Sequence, residues 1–233
     1  ALSLNNLAQT YSSLGDYNRA LEMHLECLSL REKIFGREHP NYASSLNNLA
    51  STYSDLGNYH KALELDKVCL DLREKIFGRE HPNYASSLNN LAQTYSDLGD
   101  YNKALELSLE CLSLRGKIFG KEHPEYAASL NNLALIYSSL GDYEKALELN
   151  IQCLALSEKL SGKDHSNYAM SLSNLAMTYS KLGEYEKTLE LDIKALKLYK
   201  KLFGKDHPSY ATSLNNLAQA YSDLGDYDSA LEL

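Results

Sequence analysis

The pentapeptide Leu-Asn-Asn-Leu-Ala begins at Leu4, Leu46, Leu88, Leu130 and Leu214, and Leu172 opens a variant with Ser at the second position. Successive copies lie 42 residues apart. A fixed period of this size means one supersecondary unit repeated and stacked on itself. Five full repeats span 1–42, 43–84, 85–126, 127–168 and 169–210, and a partial sixth covers 211–233. The period accounts for most of the uneven composition. Glycine falls in two columns, headed by Gly15 and Gly36, with only Gly116 outside them. Tyrosine falls in three, headed by Tyr11, Tyr17 and Tyr42, with Tyr199 left over. Pro40, Pro82, Pro124 and Pro208 share one column, where Ser166 is the exception. Repeat geometry therefore specifies these residues, and none of them alone signals a unique site.

Each repeat reads as two helices. Tyr42, Leu46, Leu49, Ala50, Tyr53 and Leu56 follow the i, i+3/i+4 spacing of a helix with one apolar face. Pro40 suits its first turn, where a missing N–H costs little, and Gly57 follows its end. Tyr59, Ala62, Leu63, Cys69, Leu70, Ile76 and Phe77 mark a second helix that stops at Gly78, before a charged loop through His81 and Pro82. Two such helices cannot bury their apolar faces alone, but stacked pairs can. The expected fold is an all-α solenoid of stacked antiparallel helix pairs, one domain over 1–233. The formal charge of −8 gives no basic footprint for nucleic acid. No apolar run approaches a membrane span, and the opening ALSLNNLAQT lacks the charged start and apolar core of a signal peptide. No membrane contact and a cytoplasmic location are expected.

The quoted columns resemble the tetratricopeptide repeat family: Leu7-Ala8, Tyr11, Gly15, Tyr17, Ala20 and Cys27, then the same positions in every repeat. The family's usual unit is about 34 residues. The longer unit here, with its LNNLA and FG-x-x-HP strings, is similar to the repeats of kinesin light chains and related 42-residue repeat proteins. The resemblance covers the whole chain. It implies a right-handed superhelical solenoid whose first helices line a concave surface that holds other proteins or peptides.

Candidate chemistry is sparse. Cys27, Cys69, Cys111 and Cys153 stand one per repeat, with Ala195 next in the column. Repeats stacked about 10 Å apart hold them too far apart for a disulfide or a shared zinc ion. The column reads as a small-residue packing position. His39, His81, His123, His165 and His207 are separated in the same way and read as loop-structuring residues, while His24 and His60 carry no motif. No nucleophile–base pair, paired carboxylates or phosphate-binding glycine loop appears outside the repeat columns. The expectation is no enzyme, no catalytic residue, no cofactor and no metal.

Two asparagine columns stand out, because Asn is a mediocre helix former. One is unbroken: Asn6, Asn48, Asn90, Asn132, Asn174 and Asn216. The other holds Asn5, Asn47, Asn89, Asn131 and Asn215, with Ser173 as the exception. By the family resemblance, the Asn5 column and the residues four and seven further on face the groove. The peptide-binding candidates are Asn5, Asn47, Asn89, Asn131, Asn215, Gln9, Gln93, Met177, Gln219 and Lys181. An amide donates and accepts at once, and an extended peptide rises about 3.3 Å per residue. A ladder stepping about 10 Å would meet the main chain at about every third residue. The alternative role for either column is bonding across to the neighbouring helix, so that it only positions the repeats.

Kinesin light chains read acidic, aromatic-containing peptides with basic groove residues. The inferred groove here is neutral, with Asp55, Asp97 and Asp223 on its edge and only Lys181 basic, which argues against an acidic ligand. The fifth repeat is distinctive, with seven lysines against five acids and with Met170 and Met177 on the inferred groove face. Two functional readings follow. One is an adaptor that binds extended peptide or protein segments on the first-helix face. The other is a spacer or assembly scaffold acting through end-to-end or convex-face contacts. Neither end of the sequence shows a polar capping repeat, so a fragment of a longer protein and end-to-end self-association are both expected.

Overall fold

The computed structural model describes residues 2–233, so Ala1, read above as the start of the first repeat, lies outside the described residues. The helices are α1 (Leu2–Ser13), α2 (Tyr17–Phe35), α3 (Pro40–Asp55), α4 (Tyr59–Phe77), α5 (Pro82–Asp97), α6 (Tyr101–Phe119), α7 (Pro124–Ser139), α8 (Tyr143–Ser161), α9 (Ser166–Lys181), α10 (Tyr185–Phe203), α11 (Pro208–Asp223) and α12 (Tyr227–Leu231). Odd-numbered helices are the first of each repeat and even-numbered ones the second. The chain falls into two compact units, the first ending at Ile118 and the second beginning at Phe119.

Local chemistry sets the boundaries of most helices. His81 caps α5: its Nδ1 accepts the Asn83 N–H at 3.1 Å, and Pro82 then supplies the first helical residue. The imidazole also stacks on Phe77, the last residue of α4, with ring centroids 4.3 Å apart. The same cap recurs at His39, His123, His165 and His207. The histidine column thus structures the loops, as expected. At the other end of a first helix, Gly57 adopts φ +74, a conformation that costs a side chain dearly. The chain then turns so sharply that the Asn58 N–H bonds back to the Tyr53 carbonyl at 2.7 Å. Asn58 next accepts the Lys61 N–H and so caps α4. Three residues therefore reverse the chain and lay the two helices antiparallel.

Within each unit, a first helix packs on the second helix of its own repeat and on that of the repeat before. In unit 1, α3 lies against α4 and α2; in unit 2, α9 lies against α8 and α10. Tyr42, Ala43 and Leu46 of α3 meet Cys69 and Leu72 of α4, with Leu28 of α2 completing the cluster. Tyr84, Ala85, Leu88, Cys111 and Leu114 repeat the arrangement. Each buried Leu contributes about 1.5–3 kcal/mol over an exposed one, so a repeat lacking a neighbour loses several such terms. The four cysteines are buried thiols in no disulfide. Cys69 Sγ donates to the Ala43 carbonyl at 3.3 Å and Cys153 Sγ to the Ala127 carbonyl at 3.5 Å. The cysteine column thus packs at the contact between the two helices of a repeat.

A second buried column ties one repeat to the next. Arg31 Nη1 donates to the Asn41 carbonyl and to Ser45 Oγ, both at 2.9 Å. Arg73 Nη1 does the same with the Asn83 carbonyl and Ser87 Oγ at 3.0 Å. Unit 2 lacks this arginine: Ser157 and Tyr199 hold the corresponding positions. Ser157 still lies 2.9 Å from Ser171 Oγ, whereas the buried Ser213 Oγ has no partner. No helix among the described residues is long and apolar enough to cross a membrane.

A candidate peptide-binding face on the first helices

The two asparagine columns bond to each other. Asn48 Nδ2 donates to Asn5 Oδ1 at 2.6 Å, and Asn90 Nδ2 donates to Asn47 Oδ1 at 2.8 Å. In unit 2, Asn174 Nδ2 donates to Asn131 Oδ1. The donor sits 43 residues after the acceptor, one more than the repeat, because adjacent positions on a helix point about 100° apart and so reach opposite neighbours. The Asn6 column therefore does bridge neighbouring helices. The Asn5 column supplies the acceptor, and one carbonyl lone pair is used. The amide groups of Asn5, Asn47 and Asn131 have no donor bond to another described residue, and their orientation is set by the bridge.

The candidate residues gather in three places. In unit 1, Asn47 and Gln93 share a cavity of about 260 Å³ between α3 and α5 with Asn90, Thr94, Asp55, Asp66 and Asp97. Gln93 Nε2 is held there by Asp97 at 2.8 Å. In unit 2, Met177, Lys181 and Gln219 line a cavity of similar size between α9 and α11, together with Asp192 and Asp223. Gln219 Nε2 donates to Asp223 Oδ1 at 2.7 Å. Asn131 lines a third cavity, of about 280 Å³, with Ala128, Leu160 and Met170. That cavity reaches Ser171 and also Ser157, whose position an arginine holds in repeats one to three. Asn5 and Gln9 lie on α1, and Asn89 and Asn215 line none of these three cavities.

A column that the sequence reading passed over forms the floor of this face. His24, Asp66, Ser108, Asn150 and Asp192 occupy one repeat position on the second helices, and all five are buried. His24 is thus one member of a column and not an isolated residue. The signal was there: Asp66 lies on the stripe of Ala62 and Cys69, where an apolar residue would be ordinary. Thr94 Oγ1 donates to Asp66 Oδ2 at 2.6 Å, and Asn150 Nδ2 donates to Thr178 Oγ1 at 2.8 Å. Burial raises the Asp66 pKa to about 6, with the Thr94 bond and the Arg73 charge partly offsetting it. Burial raises that of Asp192 to about 7. Burial pushes His24 below its ordinary value, and the nearby Arg31 charge adds to that. Asp55 is also raised by burial. The face is therefore not neutral, because the second helices add carboxylates to its floor. Among the described residues, no three His, Cys, Asp or Glu side chains are placed to hold a metal ion.

Known proteins share this architecture. A repeat protein of Podosopora anserina, with nearly identical TPR-like repeats of kinesin light chain type, matches at 28% identity and TM-score 0.73, over 85% of this chain and 94% of that one. BtubC (BKLC) from P. vanneervenii matches at 21% identity and TM-score 0.77, over 93% and 87% of the two chains. A Rap protein in complex with Competence and Sporulation Factor matches at 16% identity and TM-score 0.72, over 98% and 70%. A comparison with curated proteins gave no match. The tetratricopeptide repeat model matches residues 1–75, 55–117, 83–159, 125–187 and 167–233. Helix pairs, turn chemistry, structural neighbours and family model agree, and the chain belongs to the tetratricopeptide repeat family, with repeats like those of kinesin light chains.

Proposed function

We propose that this chain is a binding module that grips the main chain of extended peptide or protein segments along the first-helix face of each unit. The fold class already mediates protein–protein interaction. The observation that carries the finer reading is the bridged asparagine pair. Asn48 fixes Asn5, and Asn90 fixes Asn47, so the amides that would meet a ligand are ordered before it arrives. Ordering a side chain on binding costs about 0.5–1.5 kcal/mol, and the bridge removes that cost at each rung. Each uncommitted Nδ2 donates to a ligand carbonyl. The Rap complex shows that an array of this fold class can hold a separate factor.

Such a ladder says little about side-chain identity, so selectivity falls to the cavities beside it. Met177 and Met170, both exposed, can repack around varied shapes. A selection from an unbiased library of extended peptides tests the proposal, run against the wild type and against a variant with Asn47, Asn89 and Asn131 changed to Ala. Enriched peptides that the folded variant no longer binds are the expected result. Absence of enrichment, or enrichment indifferent to the three substitutions, would favour a scaffold acting through other surfaces.

A further inference from the structure

Asp66 and Asp192 occupy the same repeat position, but their surroundings have diverged. Asp66 has the Thr94 hydroxyl at 2.6 Å and the Arg73 charge nearby. Around Asp192, Ala220 stands where Thr94 does and Tyr199 where Arg73 does. Tyr199 hydrogen-bonds with Ser173 instead. Asp192 is only 3% exposed, and its Oδ1 is buried without a partner. An unsatisfied buried carboxylate oxygen is costly and rare in a native protein. The Asp192 residue lines the cavity between α9 and α11.

The rest of the cavity says what would pair with this carboxylate. Two other charged groups line it: Lys181, from α9, and Asp223, from α11. Asp223 is already committed to Gln219 at 2.7 Å and to the Ser180 hydroxyl at 3.5 Å. Lys181 is exposed and makes no ion pair with either carboxylate among the described residues. With Asp192 ionised, the cavity carries one net negative charge. Met177 and Ala220 give it an apolar wall, and the Asn216 amide and Ser180 hydroxyl add polar groups. We infer that the Asp192 cavity takes a primary ammonium on an unbranched alkyl stem, as on a lysine side chain of a bound segment. The compact ammonium has three donors and no acceptor, so it pairs with the under-supported Asp192 carboxylate while its stem lies against Met177. This rests on the peptide-binding reading above and adds a preference for a basic side chain beside the fifth repeat's first helix. Proton release accompanies binding, so the site fills better at about pH 8 than at about pH 5.

The test uses n-butylammonium chloride as the probe on the intact chain, read by the ¹³C carboxyl resonance of Asp192 at about pH 8. D192N assigns the signal, n-butanol controls for the stem and sodium chloride for ionic strength. A saturable shift with the ammonium alone is expected. A220T places a hydroxyl where Thr94 stands and should weaken the response roughly tenfold, since it would give the Asp192 carboxylate the kind of hydroxyl partner that Asp66 has. No saturable shift, an equal response to n-butanol, or a response that A220T leaves unchanged would overturn the inference. None of these outcomes depends on a peptide binding. A library that enriches peptides with no basic preference would sink this inference and leave the groove reading standing.

Discussion

Replacing Asp192 by Asn removes a buried titratable group while keeping its shape. Burial holds the Asp192 carboxyl at about 7, against an ordinary value of 3.8. Between those two values the folded chain keeps a proton that the unfolded chain has released, so stability falls as pH rises through that window and is flat outside it. At 1.36 kcal/mol per unit, the full effect has an upper limit of about 4 kcal/mol. Roughly 2–3 kcal/mol of that falls between about pH 5 and pH 8. D192N should therefore be more stable than the wild type at about pH 8 and much closer to it at about pH 5. D66N should show the same sign with a smaller effect, because Thr94 and Arg73 already support Asp66 and hold it at about 6. Urea unfolding of the three proteins at both pH values supplies the comparison. An equal loss of stability with pH in D192N and wild type would refute the claim that Asp192 is buried without support.

Other expectations follow from the packing. H81A removes the α5 cap and the ring stack on Phe77, and should cost about 1–2 kcal/mol in denaturant unfolding. S157R should restore the bonds that Arg31 and Arg73 make, here to the Asn167 carbonyl and Ser171 Oγ, and fill part of the cavity near Met170. A higher melting temperature, worth about 1 kcal/mol, is expected; a lower one would show that the cavity cannot seat the guanidinium. Leu7 is 43% exposed where Leu49, its counterpart, is 2% exposed. L49A should therefore cost about 2–5 kcal/mol in denaturant unfolding and L7A much less, and equal losses would contradict the packing.

The helix pairs, the turns and the histidine and cysteine columns were legible because a 42-residue period puts identical residues in identical surroundings. A column of like residues announces a shared role, and the caps at His39 and His81 and the buried packing of Cys69 against α3 fulfil it. Bonding across to the neighbouring helix was legible as an alternative role, but that the two asparagine columns partner each other was not, because it depends on which neighbour each position faces once the repeats stack. Each column looked sufficient alone, yet Asn47 and Asn90 act as a pair. The floor of the face was hidden for a different reason. Its five members have four side-chain types, so no string repeats there. Counting charge on the first helices alone missed Asp66 and Asp192, which reach the same cavities from the second helices. The orphaned state of Asp192 needs three positions read together, Thr94 against Ala220, Arg73 against Tyr199, and the carboxylates themselves.

The central claim is that the asparagine ladder holds main chain. An amide-to-ester scan along a peptide selected by this chain tests it most directly, since each ester weakens one backbone carbonyl and removes one N–H while leaving the side chains in place. The account predicts affinity losses that recur at about every third residue, the ratio of a repeat step of about 10 Å to a strand rise of about 3.3 Å. Those losses should vanish in the variant lacking Asn47, Asn89 and Asn131. A flat ester scan, with affinity governed by side chains alone, would contradict it.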